Sequence, residues 1–200
     1  MLGTYLSEIY KEMYVVYLNN YNTQACQPVK RTVFISYYHE DQHYVNQFVQ
    51  DFKDVFIPKT VGVTEGDFEF DSNNSEYIMR KIREEKLKDS TVTIVLIGNY
   101  TYKRKYVDWE IKASLQCGQN IPNGLIAIKL PYIGNNPVNL PTRLKENINN
   151  IWHSDKYARL YHYPSSNEEL RIWIEDAYKA RTKRRNLIKN SNSMMHRNLV

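Results

Sequence analysis

What most constrains the fold of this chain is a set of short runs, apolar at nearly every position, separated by stretches of helical period. TVFISY at 32–37, TVTIVLIG at 91–98 and LIAIKL at 125–130 offer no polar face to water, so each must be covered on both sides. Between them, residues 41–56 place Val45, Phe48, Val49, Phe52 and Phe56 at helical spacing, and 75–88 do the same with Ile78, Ile82 and Leu87. TVGVT at 60–64 reads as a further short strand, the second of four, and 102–119 as the helix after the third. Strands joined through helices call for right-handed crossovers, hence an α/β fold with a central parallel sheet between two helical layers.

The flanks are organised differently. Leu2, Tyr5, Leu6, Ile9, Met13, Val16 and Tyr17 fall at helical spacing, which predicts an amphipathic helix joined by a polar linker, together 1–28. The α/β unit follows over 29–165, with a Pro- and Asn-rich connection at 131–150. Ser166 with Glu169 three residues on is a capping box, and Leu170, Trp173, Ile174 and Ala177 continue it as a last helix, so 166–200 is expected as a C-terminal helix and basic tail.

Charge places that tail in context. The net charge is +5, yet residues 178–200 hold seven Lys or Arg and no acid, so the basicity belongs to the end of the chain. Lys179, Arg181, Lys183, Arg184 and Arg185 suit the negative pole of a helix end running into a frayed terminus, and no nucleic-acid recognition motif accompanies them. No apolar run approaches the roughly 20 residues that span a bilayer. Glu8 and Glu12 stand where a signal peptide would be basic and then apolar, which predicts a cytoplasmic protein without a membrane partner. Cys26 and Cys117 lack CxxC spacing, the five histidines lack ligand spacing, and neither a phosphate loop nor GxSxG occurs, so no metal is expected and kinases and classical hydrolases are poor candidates.

One carboxylate stands out. In YKRKYVDWEIKASLQCGQ at 102–119, Val107, Ile111, Ser114 and Gly118 form an inward stripe, and Glu110 with Tyr106 one turn earlier lies along its edge, half buried. The helix starts near the carboxyl end of a central strand, where ligands bind in open α/β sheets. Beside Arg104, Lys105 and Lys112, the same glutamate also has the look of a solvated surface group. Ser36 and Tyr37 close the first strand at that sheet edge, where they could meet a ribose or phosphate or merely cap the strand end; Asp41 is expected to cap the helix that follows.

VFISYYHED at 33–41 resembles the first box of TIR domains, and TVTIVLIGNYTYKRKYVDWEI at 91–111 looks like the TIR-like proteins of the bacterial Thoeris antiphage system. The resemblance covers about 30–130 and implies a flavodoxin-like three-layer fold. It also implies an enzyme that consumes NAD as substrate, without a further cofactor. Catalytic TIR domains cleave the nicotinamide glycosidic bond, and the glutamate of their aromatic-x-x-x-Glu pattern falls on Glu110. The aromatic residue, commonly Trp, is Tyr106 here, and Trp109 could serve a neighbouring role though its helical angle turns it from the stripe. Thoeris TIR proteins make a cyclic or conjugated ADP-ribose that reaches a downstream effector as a diffusible signal. The family also implies self-association, and it places the acidic loop 65–74 where a loop gates the site. A non-catalytic TIR adaptor, acting by self-association or protein binding, is the second function compatible with these residues.

Overall fold

The computed structural model describes residues 29–59, 75–116, 121–148 and 156–200. The expected N-terminal helix, the TVGVT strand, the acidic loop, Gly118 and both cysteines lie outside them. Five parallel strands form the sheet: β1 (Arg31–Ser36), β2 (Phe56–Lys59), β3 (Val92–Ile97), β4 (Gly124–Lys129) and β5 (Arg159–Tyr161), in the order β2-β1-β3-β4-β5. Successive strands run one way from β1 to β2 and the other way from β3 onward. The change of direction opens a crevice beyond the carboxyl ends of β1 and β3.

Both faces are covered, as the apolar strands require. On one side α1 (Gln42–Asp51) and α5 (Asn167–Lys183) pack Val45, Phe48, Leu170 and Ile174 against Val33, Ile35, Ile94 and Ile126. On the other, α2 (Ser75–Lys81), α3 (Lys105–Ser114) and α4 (Thr142–Asn147) bury Ile78, Val107, Ile111 and Leu144 against Phe34, Val95 and Ala127. Ser166 Oγ accepts the Glu169 N–H at 3.2 Å, and Glu169 in turn accepts from Ser165 N, so α5 starts where its capping box is written. Its Ala177 backbone lies so close to Gly124 that a Cβ there would collide with it.

Several boundaries differ from the sequence expectation, and α3 runs over Lys105–Ser114 within the expected 102–119. The first helix ends at Asp51 rather than 56, because Phe52 leaves helical geometry and Val55 N turns back to Phe52 O. Phe56 belongs to β2, four residues ahead of the TVGVT run, and Pro58 fits there because β2 is an edge strand whose outer side needs no N–H. After α2 the backbone continues as a π-turn over Ile82–Leu87. Buried Ile78, Ile82 and Leu87 are spaced four and then five apart, and the wider turn is what brings Leu87 to the same face. The short strand β5, unmarked in the sequence reading, is held by Tyr161 stacked on Trp173 at 4.0 Å.

The C-terminus is not frayed. Beyond α5 the chain turns back and runs antiparallel to α3, with Asn190 beside Lys112, Met195 beside Asp108 and Trp109, Asn198 beside Lys105, and Leu199 beside Lys103. Met194 is buried in the same cluster as Ile78 and Trp109. Among the described residues no helix is long and apolar enough to cross a membrane.

Candidate active site

Alternation along β1 turns Ser36 toward α3 and Tyr37 toward α1. Ser36 is fully buried, and its hydroxyl donates to Glu110 Oε2 at 2.5 Å. A bond of that length fixes the orientation of the carboxyl group against β1. Glu110 is 1% exposed rather than half buried, because β1 lies directly against its helix. Two of the predicted site residues are thus brought together beneath the crevice at the sheet's change of direction.

Tyr37 and Tyr106 share a different space. With Tyr38, His39, Arg104, Val107 and Asn198 they line a cleft of about 70 Å³, and Glu110 is not among its walls. The Tyr37 hydroxyl donates to Gln42 Oε1 while its ring joins the core on the α1 side. Tyr106 stays partly exposed, edge-on to Trp109 at 5.3 Å, with the Lys105 ammonium 4.9 Å from its ring centre. Trp109 itself is buried, and its indole N–H donates to Met195 O at 2.7 Å, so it serves the returning C-terminus rather than the cleft.

Asp41 does not cap α1 with its side chain. Its Oδ1 accepts from the Tyr132 hydroxyl at 2.9 Å, and that hydroxyl accepts from Asn99 N at 3.2 Å, which ties together the turns after β1, β3 and β4. Gly98 lies beneath this junction, where a Cβ would strike both the Asp41 carboxylate and the Tyr132 oxygen. Burial pushes the Asp41 carboxyl up and the Tyr132 phenol up to about 12. Asp41 Oδ2 is buried without a hydrogen-bond partner.

Two residues that sequence reasoning passed over hold the helix of Glu110 in place. Arg143, buried on α4, donates Nε and Nη2 to Asp108 at 3.0 and 3.3 Å, and its remaining donors reach Asn190 Oδ1 and the carbonyls of Asn192 and Ser193. Asp108 also accepts from Met195 N at 3.0 Å. A pair separated by 35 residues in sequence leaves no local signal. Among the described residues no cluster of three or more His, Cys, Asp or Glu is placed to hold a metal ion.

Among curated proteins none matches the chain. Among solved structures, a ribose 5-phosphate isomerase from Thermotoga maritima aligns over 81% of this chain and 90% of its own, at 12% identity and a TM-score of 0.27, a likeness too low to carry an argument. The family model described as Thoeris protein ThsB, TIR-like domain, matches residues 34–134. That match begins in β1, takes in Ser36, Tyr37, Tyr106 and Glu110, ends just after β4 and spans half the sequence, so the chain belongs to the ThsB TIR-like family of Thoeris antiphage defence.

Proposed function

We propose that the protein cleaves the bond between nicotinamide and ribose in NAD and releases a cyclic or conjugated ADP-ribose as a signal for a separate effector. The observation that carries this reading is the buried Ser36–Glu110 bond at the crevice between β1 and β3. Nicotinamide attached to ribose is already a cationic leaving group, so its departure needs little acid assistance and leaves an oxocarbenium-like centre, as in glycoside cleavage. A carboxylate shielded from water and oriented by the Ser36 hydroxyl can hydrogen-bond the ribose and stabilise that charge. Ser36 is then a positioning residue, Tyr106 a flat wall for the nicotinamide or its ribose, and Tyr37 part of the opposite wall.

A cleft of about 70 Å³ is smaller than the roughly 300–1,000 Å³ that ligand sites span, so a dinucleotide enters only when a wall moves. Self-association that reshapes the site accords with this need, and turnover is expected to rise with protein concentration. One observation favours the adaptor instead: Glu110 is enclosed and already bonded, as a purely structural clamp between β1 and α3 would be.

Mass spectrometry of NAD incubated with the protein separates the two. The enzyme releases nicotinamide and an ADP-ribosyl product, while Glu110→Gln keeps its circular dichroism and loses turnover at least a hundredfold. An unfolded Glu110→Gln variant, or a native protein inert at every concentration, supports the clamp and the adaptor.

A further inference from the structure

We propose that Arg104 is the residue that takes the pyrophosphate of the dinucleotide, an assignment that rests on the NAD reading of the same cleft. Arg104 lines that cleft beside Tyr106 and Asn198. Among the described residues, two arginines have a buried Nε without a hydrogen-bond partner, Arg104 and Arg184. Arg184 is compensated through its other nitrogens, which hold Asp176 at 3.0 and 2.6 Å. Arg104 faces no carboxylate among the described residues, and its Nε is buried without a hydrogen-bond partner. A buried donor left unmet is costly, and a charged one more so, unless something outside the chain accepts from it.

The guanidinium is also held ready. Its Cζ lies over the Tyr38 ring, 3.8 Å from the ring centre, a cation–π contact that restrains the guanidinium. The backbone on either side is pinned by the returning C-terminus. Leu199 N donates to Lys103 O at 2.9 Å, and Asn198 Oδ1 accepts from Lys105 N at 2.9 Å, a cap delivered to α3 from 93 residues away. Arg104 N donates to Thr101 O. A planar fork with flanking Lys103 and Lys105 at a helix start matches two adjacent phosphate groups in charge and in shape. Glu110 lies further along α3 and outside the walls of this cleft, so the guanidinium meets the substrate in the cleft and the carboxylate does so only when a wall moves.

The experiment compares the full-length protein with Arg104→Gln and Arg104→Lys by two readouts. In the first, NAD cleavage by Arg104→Gln shows KM raised about ten- to a hundredfold with kcat within about threefold, and Arg104→Lys falls between the variant and the native protein. In the second, calorimetric titration with ADP-ribose shows a matching loss of affinity, while adenosine, which lacks phosphate, binds the native and variant proteins alike. Thermal melts within about 3 °C of one another exclude a folding artefact, and Arg104→Lys preserves the charge should Arg104→Gln fail to fold. Cleavage and ADP-ribose binding unchanged within threefold in Arg104→Gln overturn the assignment and leave NAD cleavage standing. A fall confined to kcat overturns it as well. If the native protein leaves NAD intact but binds ADP-ribose through Arg104, the catalytic reading fails and the phosphate assignment holds; if the native protein does not bind ADP-ribose, the assignment fails.

Discussion

Replacing Arg143 by Met removes six hydrogen bonds at one stroke, two to Asp108 and four to the returning C-terminus. The guanidinium and the Asp108 carboxyl are 1% and 5% exposed, so nothing but protein meets either charge. After the substitution Asp108 keeps the Met195 N–H at 3.0 Å, with the partly buried Lys112 ammonium the cation left near it. Breaking a buried pair from one side costs about 3–5 kcal/mol, because the partner's charge stays behind without compensation. For a chain of this size that amounts to a loss of roughly 6–20 °C in Tm. The double variant Arg143→Met with Asp108→Leu abandons both charges for apolar volume and is expected to recover most of the loss. Circular dichroism melts of the native protein, both single variants and the double variant close the cycle. A single-variant loss under about 1 kcal/mol, or a double variant no better than the worse single, would show that the pair does not lock α3 to α4 and refute the reasoning.

The Asp41 carboxyl is raised above its ordinary value near 3.8, first by burial, so the folded state is penalised once that group ionises. Its stabilising contribution is present below pH 3.8 and is lost as pH rises through the folded-state value. Asp41→Asn should therefore raise Tm at pH 7 and lose that advantage as pH falls toward 4; a gain that is constant across melts at pH 4 to 8 would show that charge is not its cause. Tyr106→Ala should lower NAD cleavage about tenfold or more while Tyr106→Trp retains it, because the flat face is the working part. Equal losses in both, measured by nicotinamide release, would assign the role to the hydroxyl.

The sheet and the helix of Glu110 are readable from the sequence because both express themselves as periods. Uniform apolarity in β1, β3 and β4 dictates burial on two sides, and Val107 with Ile111 fixes which side of α3 turns inward. The depth of Glu110 is not readable, since it depends on the Ser36 strand lying against the helix, a contact across 74 residues. The stretch after α5 reads as a frayed end because Asn, Ser and Lys carry no period. It is ordered through side chains that grip its backbone: Arg143 on the carbonyls of Asn192 and Ser193, Lys112 on those of Asn190 and Asn192, Asn147 on both Lys189 N and O. Such bonds ask nothing regular of the segment they hold. The end of α1 misleads for the opposite reason, as Phe52 and Phe56 keep helical spacing by coincidence while the backbone between them turns.

Taken turn by turn, α3 is fastened on every side. Asn198 caps Lys105, Arg143 holds Asp108, Met195 O receives the Trp109 indole, Ser36 bonds Glu110, and Thr93 meets Ser114 at 2.8 Å. Moving that helix as a body would break contacts to β1, β3, α4 and the C-terminus together, several of them charged and buried. The opposite wall is the turn from Tyr37 to Asp41, held by backbone bonds from Asp41 N to Tyr38 O and from Gln42 N to His39 O, by the Tyr37 hydroxyl on Gln42, by Tyr132 on Asp41 and by the Arg104 guanidinium over Tyr38. His39 and Glu40 within it are exposed. On the proposed reading, the phosphate-binding guanidinium belongs to the wall at the start of α3, the carboxylate lies behind that wall on the same helix, and admission of substrate falls to the turn from Tyr37 to Asp41. This division keeps Glu110 and Arg104 at a constant separation whether the cleft is open or closed, which is what orientation of a bond between them requires.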